Sequence, residues 1–173
     1  ATVVAEGSVG VTATDRLKSI KVTGVLAAGG GAGVGASVSV FTYSGNVTAA
    51  INQNARITAH GNGSGLLVST GAFDSSGNPV RATVNGLSVV ALTSQDIKNV
   101  AVGGAGGGGA GIAGSVTVNV LTSNTRASIE NGVIVNADNT GAAANQDVYV
   151  LAKDRTKSLN VAGALGIGGG AGI

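Results

Sequence analysis

The residues that could support acid–base or metal chemistry are few and scattered. His60 is the only histidine, cysteine is absent, and Glu6 and Glu130 are the only glutamates. A histidine-based catalytic triad or a zinc site requires partner side chains that converge on the histidine. His60 aligns with Asp138 of a later repeat, in a segment with loop composition. These counts predict neither a triad nor a zinc centre.

A pair of carboxylates is the remaining catalytic possibility, since such a pair hydrolyses glycosidic bonds. Stacked repeats could bring Asp15 close to Asp96, or Asp96 close to Asp154. However, Asp15 and Asp154 occupy the same position of a repeated motif, and an arginine follows each of them. Recurrence of this kind favours a structural turn over a unique active site. The sequence therefore predicts no catalytic residue, and we expect that the protein is not an enzyme.

Metal and nucleotide sites are not predicted either. The loop from Asn136 to Asp147 contains several oxygen donors, but its spacing matches neither an EF-hand nor a calcium-binding nonapeptide repeat. The glycine-rich tracts lack the GxxxxGK[ST] pattern that cradles phosphates. We expect a solvated loop, no metal and no cofactor.

Composition favours thin, closely spaced layers over an ordinary core. The chain has 31 glycines, two phenylalanines and two tyrosines, with no tryptophan or methionine. The net charge is +2 and no basic stripe is present, which argues against nucleic acid as a partner. Two tracts without charge, Val22–Phe41 and Asn99–Thr125, are rich in glycine and run into alternating valine, serine and threonine. We therefore predict no membrane span in this segment.

Internal repeats organise the chain. The segment Asp15–Val22 reappears as Asp154–Val161 and continues into a second glycine tract. A middle copy starts near Lys98, which corresponds to Lys18 of the first copy and Lys157 of the last. The sequence separation between the first and middle copies exceeds that between the middle and last copies by roughly 20 residues. That difference is about the size of a single solenoid turn. This difference predicts a spatial turn of that length and one whole inserted turn near residues 61–86.

The segments between turns read as strands. Residues 37–42 and 115–120 alternate apolar and polar side chains with period two, and valine and threonine favour pleated surfaces. The predicted fold is all-β: a right-handed parallel β-helix (β-solenoid) with about 20 residues per turn. Residues 1–173 would form one continuous fragment of a longer array: the end of a preceding unit (1–8), a four-turn unit (9–86), a three-turn unit (87–146) and the start of a third (147–173).

The glycine-rich tracts also carry a resemblance to a known group. Val22–Val40, Gly104–Val120 and Val161–Ile173 resemble the glycine-rich repeats of giant bacterial surface adhesins of the filamentous-haemagglutinin and autotransporter type. The resemblance implies a secreted or cell-surface location and a structural role as a stalk or fibre. It also implies lateral or end-to-end self-association, with host or neighbouring cells contacted by other parts of the full protein. The alternative is a solenoid that displays a glycan-binding face.

The glycines are the candidate packing or self-association residues, and two interpretations are open. They line a narrow interior, or they form a contact between chains. In both interpretations other atoms pack against the glycines, so valine at Gly31 or Gly107 should destabilise the fold or its assembly. The lysines Lys18, Lys98 and Lys157 should share one edge. The candidate glycines are Gly29, Gly30, Gly31, Gly33, Gly35, Gly106, Gly107, Gly108, Gly109, Gly111, Gly168, Gly169 and Gly170.

Overall fold

The computed structural model describes the whole chain, residues 1–173, as strands and connecting turns, without a helix. The predicted all-β class is confirmed. The chain contains no helix that could span a membrane. The strands are β1 (Thr2–Ala5), β2 (Val9–Gly29), β3 (Ala32–Ile51), β4 (Arg56–Ala59), β5 (Leu66–Phe73), β6 (Pro79–Val84), β7 (Gly86–Gly107), β8 (Ala110–Ile129), β9 (Ile134–Val135), β10 (Asp147–Gly168) and β11 (Ala171–Gly172).

Strands from successive copies of the repeat lie side by side. The sheets have the strand orders β1-β4-β9, β10-β7-β2 and β11-β8-β3. The first sheet is parallel, with Val3 beside Ile57 and Ile57 beside Val135. β8 and β11 are also parallel, with Ala110 beside Ala171. Parallel stacking of the repeats, predicted from the sequence, is confirmed.

The predicted length of a spatial turn is wrong. Thr2 pairs with Arg56, Arg56 with Ile134, and Ala110 with Ala171, so partners in a sheet are separated by far more of the chain than one predicted turn. The physical reason is the length of the strands, because β2, β3, β7, β8 and β10 each contain 20 to 22 residues. A segment of the predicted turn length therefore forms one long strand, and the chain needs a whole repeat to return to the same sheet.

The three lysines that were expected to share one edge do not lie directly beside one another. β2 and β7 bring together residues 78 apart: a Cβ on Gly24 would lie 3.8 Å from the Val102 carbonyl oxygen, and the Gly86 amide donates a 3.0 Å bond to the hydroxyl of Ser8, just before β2. Contacts between β7 and β10 join residues 61 apart, as in the Thr156–Gln95 side-chain bond. This register places Asp96, rather than Lys98, between Lys18 and Lys157. Alternation could not reveal the error, because a slip of two residues leaves every side chain on the same face.

The inserted residues form a hairpin rather than an additional stacked turn. β5 and β6 pair antiparallel, with Leu66 opposite Val84 and Val68 opposite Ala82. The turn carries an Asp74 carboxylate that accepts a 2.7 Å bond from the Asn78 amide. Hydrogen bonds from this turn hold the pKa of Asp74 below its ordinary value, the bond from the Asn78 amide being the largest cause.

Two compact units make up the chain, and each takes one segment from every repeat. The first unit comprises Ala1–Arg16, Gly45–Ser94 and Ser123–Arg155, and the second comprises Leu17–Ser44, Gln95–Thr122 and Thr156–Ile173. The first unit has a conventional apolar core, in which Val47, Ile57, Leu87 and Val89 are buried. Strand alternation points these side chains to one face, so the sequence pattern and the burial agree.

The hairpin of the first unit covers the outward face of β7. Val68 and Val84 of the hairpin pack against Val90 and Leu92, and the Tyr149 hydroxyl donates a 3.0 Å bond to the Ser69 carbonyl. This cover explains why consecutive residues from 86 to 93 are all buried, although a strand normally exposes alternate side chains.

Arginines from the two outer copies flank the hairpin. Arg16 donates to the Gly77 carbonyl and to the Asn78 side chain, and Arg155 stacks over the Phe73 ring at 5.1 Å. The middle copy has the small residue Ser94 at the register position of these arginines. A small side chain there leaves room for the hairpin to lie across the middle strand.

Candidate functional site

The second unit contains all the candidate glycines and has a construction of its own. Its three copies each contribute one segment to the β10-β7-β2 sheet and one to the β11-β8-β3 sheet. The chain reverses between the two sheets at glycine pairs 30–31, 108–109 and 169–170. The Gly109 amide donates 2.7 Å to the Gly31 carbonyl, and the Gly170 amide donates 2.9 Å to the Gly109 carbonyl. These bonds stack the three corners on one another.

One group of candidate glycines lies where the two sheets approach most closely. A Cβ atom on Gly33 would lie 2.9 Å from the carbonyl carbon of Gly106, and one on Gly35 would lie 3.1 Å from that of Gly104. Real Cβ atoms essentially never contact other atoms within 3.0 Å. The opposing atoms are main chain, so they cannot move aside as a flexible side chain could. The same main-chain contact holds for Gly29, Gly107, Gly111 and Gly168.

The remaining candidate glycines lie at the corners or on the outer surface. A Cβ on Gly30, Gly31 or Gly106 would meet nothing within 4 Å. The expectation that Gly31 is covered is therefore wrong for this chain, because its missing side chain would point into open space. The glycines whose Cβ would face a corner carbonyl of the neighbouring copy are Gly108, Gly109, Gly169 and Gly170.

Polar side chains fill much of the space beyond the glycines, beside the buried Ile97. The Ser39 hydroxyl donates a 2.5 Å bond to Asn99 Oδ1, and Asn99 Nδ2 donates a 3.0 Å bond to Asn119 Oδ1. Asn119 Nδ2 continues the chain with a 2.9 Å bond to the Ser158 hydroxyl, and the Thr23 hydroxyl donates to Ser39 at 3.2 Å. Ser39 and Asn99 are completely buried. We call these five side chains the polar ladder; each bond joins one sheet to the other.

Large apolar side chains lie on the outside of the same unit. In β3 and β8 most residues that alternate with the inward-facing serines and glycines are valine or isoleucine, and Val34 is 68% exposed. The other exposed members of this face are Val38, Val40, Ile112, Val116, Val118 and Val120. Within the second unit, their outward-facing neighbours on these strands are alanine, glycine, serine and threonine, so this part of the face carries no charge. Around the polar ladder the second unit is thus small and polar inside and apolar on its β3–β8 face, the reverse of an ordinary domain, although Ile97, Ala101 and Ala105 are also buried.

This inversion was missed in the sequence, although the signal is present. Segment 33–40 places glycine and serine at odd positions and valine or alanine at even positions. Alternation shows that the two sets face opposite ways, but the usual rule assigns the apolar set to the interior. Only the close approach of the main chains at Gly33 and Gly35 identifies the small residues as the inner set.

Asp154, one of the carboxylates that could have formed a catalytic pair, has local structural hydrogen bonds. The Asp154 carboxylate accepts hydrogen bonds from the Ser123 and Thr125 hydroxyls. Thr93 lies at the register position between Asp15 and Asp154, and its hydroxyl contacts the Thr125 hydroxyl at 2.6 Å. No group of three or more histidine, cysteine, aspartate or glutamate side chains converges as metal ligands would. That the protein is not an enzyme stays a prediction.

The lone histidine joins two parts of the first unit. His60 Nδ1 lies 3.1 Å from Glu6 Oε2. This hydrogen bond is the largest cause of a pKa of His60 above the ordinary value of 6.5, with smaller contributions from Asp138. Asp138 is tied in turn to the Thr140 amide at 2.9 Å, a bond that lowers the pKa of Asp138.

Glu6→Gln should lower the pKa of His60, because it removes the largest cause of the increase. Since the folded-state pKa of His60 exceeds its unfolded value, the pair stabilises the fold below about pH 6.5, and this contribution is lost as the pH rises through the folded pKa. The imidazole resonances of His60, followed by NMR from pH 5 to 9, report this pKa. Glu130→Gln, a change of the other glutamate, should leave the titration unchanged. An unaltered midpoint in Glu6→Gln would show that the pair does not control His60.

Comparison with known proteins gives no relative: no family model, curated protein or solved structure matches the chain. The resemblance to adhesin repeats therefore depends on the sequence motifs of the glycine-rich tracts.

Proposed function

We propose that the chain is a structural repeat segment, a stalk or fibre element of a secreted or cell-surface bacterial adhesin. The observation that carries this proposal is the stacking of three copies of one motif, strand on strand, in three parallel sheets. Each copy meets its neighbour through main-chain hydrogen bonds and small side chains. Such contacts form between any two copies, so repeat number sets the extent of the array.

The contacts between copies supply a reason for the unusual composition. Glycine at the inner positions allows the two sheets of each copy to approach closely, and the polar ladder ties successive copies together. Each added repeat extends a sheet by one strand spacing, about 4.8 Å. A proposed β-solenoid stalk of this kind becomes long only by adding many repeats, which fits the resemblance to giant adhesins.

The apolar outer faces supply the proposed contact between chains. Contiguous exposed apolar patches on soluble proteins commonly mark interaction surfaces. The face formed by Val34, Val38, Val116 and their neighbours has no charge, so two copies could meet without like-charge repulsion. In this proposal self-association is lateral and uses valine and isoleucine, whereas the glycines act within each chain.

Lengthening the array tests the structural role. Ile173 corresponds to Val34 of the first copy, so residues 35–173 can be appended directly after Ile173 to give two further repeats in register. We expect the lengthened protein to unfold cooperatively, with a higher thermal midpoint than the parent, because each interior copy gains a neighbour. Circular dichroism melting curves measure this change.

A one-residue deletion at the junction provides the matched control. It turns the valines of the appended repeats inward and the glycines outward, and so should prevent stacking. We expect this control to melt at the parental midpoint with an unfolded extension. If the in-register extension also remained unfolded, the chain would not be a repeat that supports further copies, and the proposal would fail.

A further inference from the structure

A cavity of about 280 Å³ lies between β2 and the β5–β6 hairpin of the first unit. Thr12, Thr14 and Arg16 project from the outward face of β2, and Arg81 projects from the hairpin. Val68 and Leu92, both buried, form part of the lining. We call this cavity the hairpin groove. It belongs to neither the glycine tracts nor the polar ladder.

The charge of the hairpin groove suits an anion. Two guanidinium groups line it, and no carboxylate does. Arg16 uses one nitrogen, Nη2, for its 3.3 Å bond to the Gly77 carbonyl and its 3.2 Å bond to Asn78 Oδ1. The hairpin turn therefore fixes the arginine through Nη2, and neither of these bonds engages the N–H groups on Nη1 and Nε. A planar guanidinium held in this way suits a carboxylate, which it can bind through two parallel bonds.

The rest of the lining suits a hydroxylated ring. The hydroxyls of Thr12, Thr14 and Ser69 can donate or accept hydrogen bonds, whereas Val68 and Leu92 offer an apolar surface. The volume lies just below the range of about 300–1,000 Å³ for small-molecule pockets, so it suits a single ring. The ligand that matches this lining has a carboxylate, several hydroxyls and a weakly polar ring face. An acidic sugar has all three.

The groove occurs once, whereas the structural contacts recur in every copy. It exists only where the hairpin docks, and the second repeat has no counterpart of this insertion. Ser94 allows the hairpin to lie between Arg16 and Arg155, as described above. A unique insertion that creates a cationic, hydroxyl-lined cavity on a repetitive scaffold is a common way to place a binding site on loops.

We propose that the hairpin groove binds the acidic sugar units of a polysaccharide, with Arg16 and Arg81 receiving the carboxylate. The site lies wholly in the first unit and does not depend on the proposed stalk function. Binding would survive even if the lengthened array failed to stack, so the two proposals can fail separately.

The test is an NMR titration of the whole chain with D-glucuronate, and with D-glucose as the uncharged counterpart. We expect saturable shifts of the Thr12, Thr14 and Val68 methyl resonances with a millimolar dissociation constant for glucuronate, and none for glucose. Arg81→Gln should weaken glucuronate binding at least tenfold. Arg126→Gln, an exposed arginine of β8 that does not line the groove, should leave the affinity unchanged.

Further probes decide the ligand class. Acetate and sulfate should bind at least tenfold more weakly than glucuronate, because they lack the ring that contacts the threonines and the apolar surface. Equal binding by either ion would reduce the groove to a general anion site and overturn the sugar assignment. Tighter binding of an aspartate-rich peptide would overturn it in favour of a protein partner. The proposal as a whole would be overturned if glucuronate shifted no resonances in either the parent or the folded Arg126→Gln control.

Discussion

Gly33→Ala should destabilise the protein by at least about 3 kcal/mol, at or above the usual cost of overpacking a core. The added methyl group would lie 2.9 Å from the carbonyl carbon of Gly106 and closer still to its oxygen. Both atoms belong to the main chain of the opposite sheet. Relief would require the sheets to separate, which would stretch the interior bonds between Ser39 and Asn99 as well. The loss should therefore extend beyond one local contact.

Gly106→Ala is the matched control, because Gly106 is the residue that Gly33 faces. A methyl group on Gly106 would point outward and meet nothing within 4 Å. Alanine at a compatible strand position reduces the entropy of the unfolded chain, so the change should be neutral or stabilising by up to about 1 kcal/mol. Urea unfolding followed by circular dichroism compares the two variants. Equal stabilities would show that the sheets are not held as closely as Gly33 implies.

The sequence allowed the class of fold and the parallel stacking to be predicted, because period-two alternation and repeats report local geometry. It could not give the length of a spatial turn. The difference in length between the two repeats was equally compatible with a whole turn and with a hairpin, and the structure has the hairpin of β5 and β6. Antiparallel pairing of residues 66–84 depends on the turn at Asp74–Asn78, whose composition had only indicated a loop.

The candidate site was predictable in its location but not in its architecture. The glycines were identified as packing residues from their number, and Gly33 and Gly35 do lie between main chains. Their neighbours Gly31 and Gly106 face open space. Which glycines are covered depends on which face of the strand each one occupies and on the position of the corner at residues 30–31. Neither can be identified within a run of adjacent glycines. The hairpin groove required the register of β2 against the hairpin, which no local pattern contains.

Asn99→Leu should cost about 2–5 kcal/mol, although leucine keeps the heavy-atom count and branching of asparagine and removes no strand hydrogen bond. Asn99 is completely buried and joins Ser39 to Asn119 across the two sheets. Leucine would leave the Ser39 hydroxyl without its acceptor and Asn119 Oδ1 without its donor. An unsatisfied buried polar group costs about 1–3 kcal/mol. An ordinary core would gain from an additional leucine, so the expected loss is specific to a polar interior.

Asn160→Leu tests the same position of the next copy, because the register between β7 and β10 pairs Asn99 with Asn160. Asn160 is exposed at the outer strand, so leucine there should change the free energy of unfolding by less than about 0.5 kcal/mol. The double variant Ser39→Ala with Asn99→Leu should cost less than the sum of the single changes, by about 1–2 kcal/mol, because removing one partner already removes the shared bond. Urea unfolding compares the parent with Asn99→Leu, Asn160→Leu, Ser39→Ala and the double variant. Additive losses, or a stabilising Asn99→Leu, would mean that the interior behaves as an apolar core and that the polar ladder does not join the sheets.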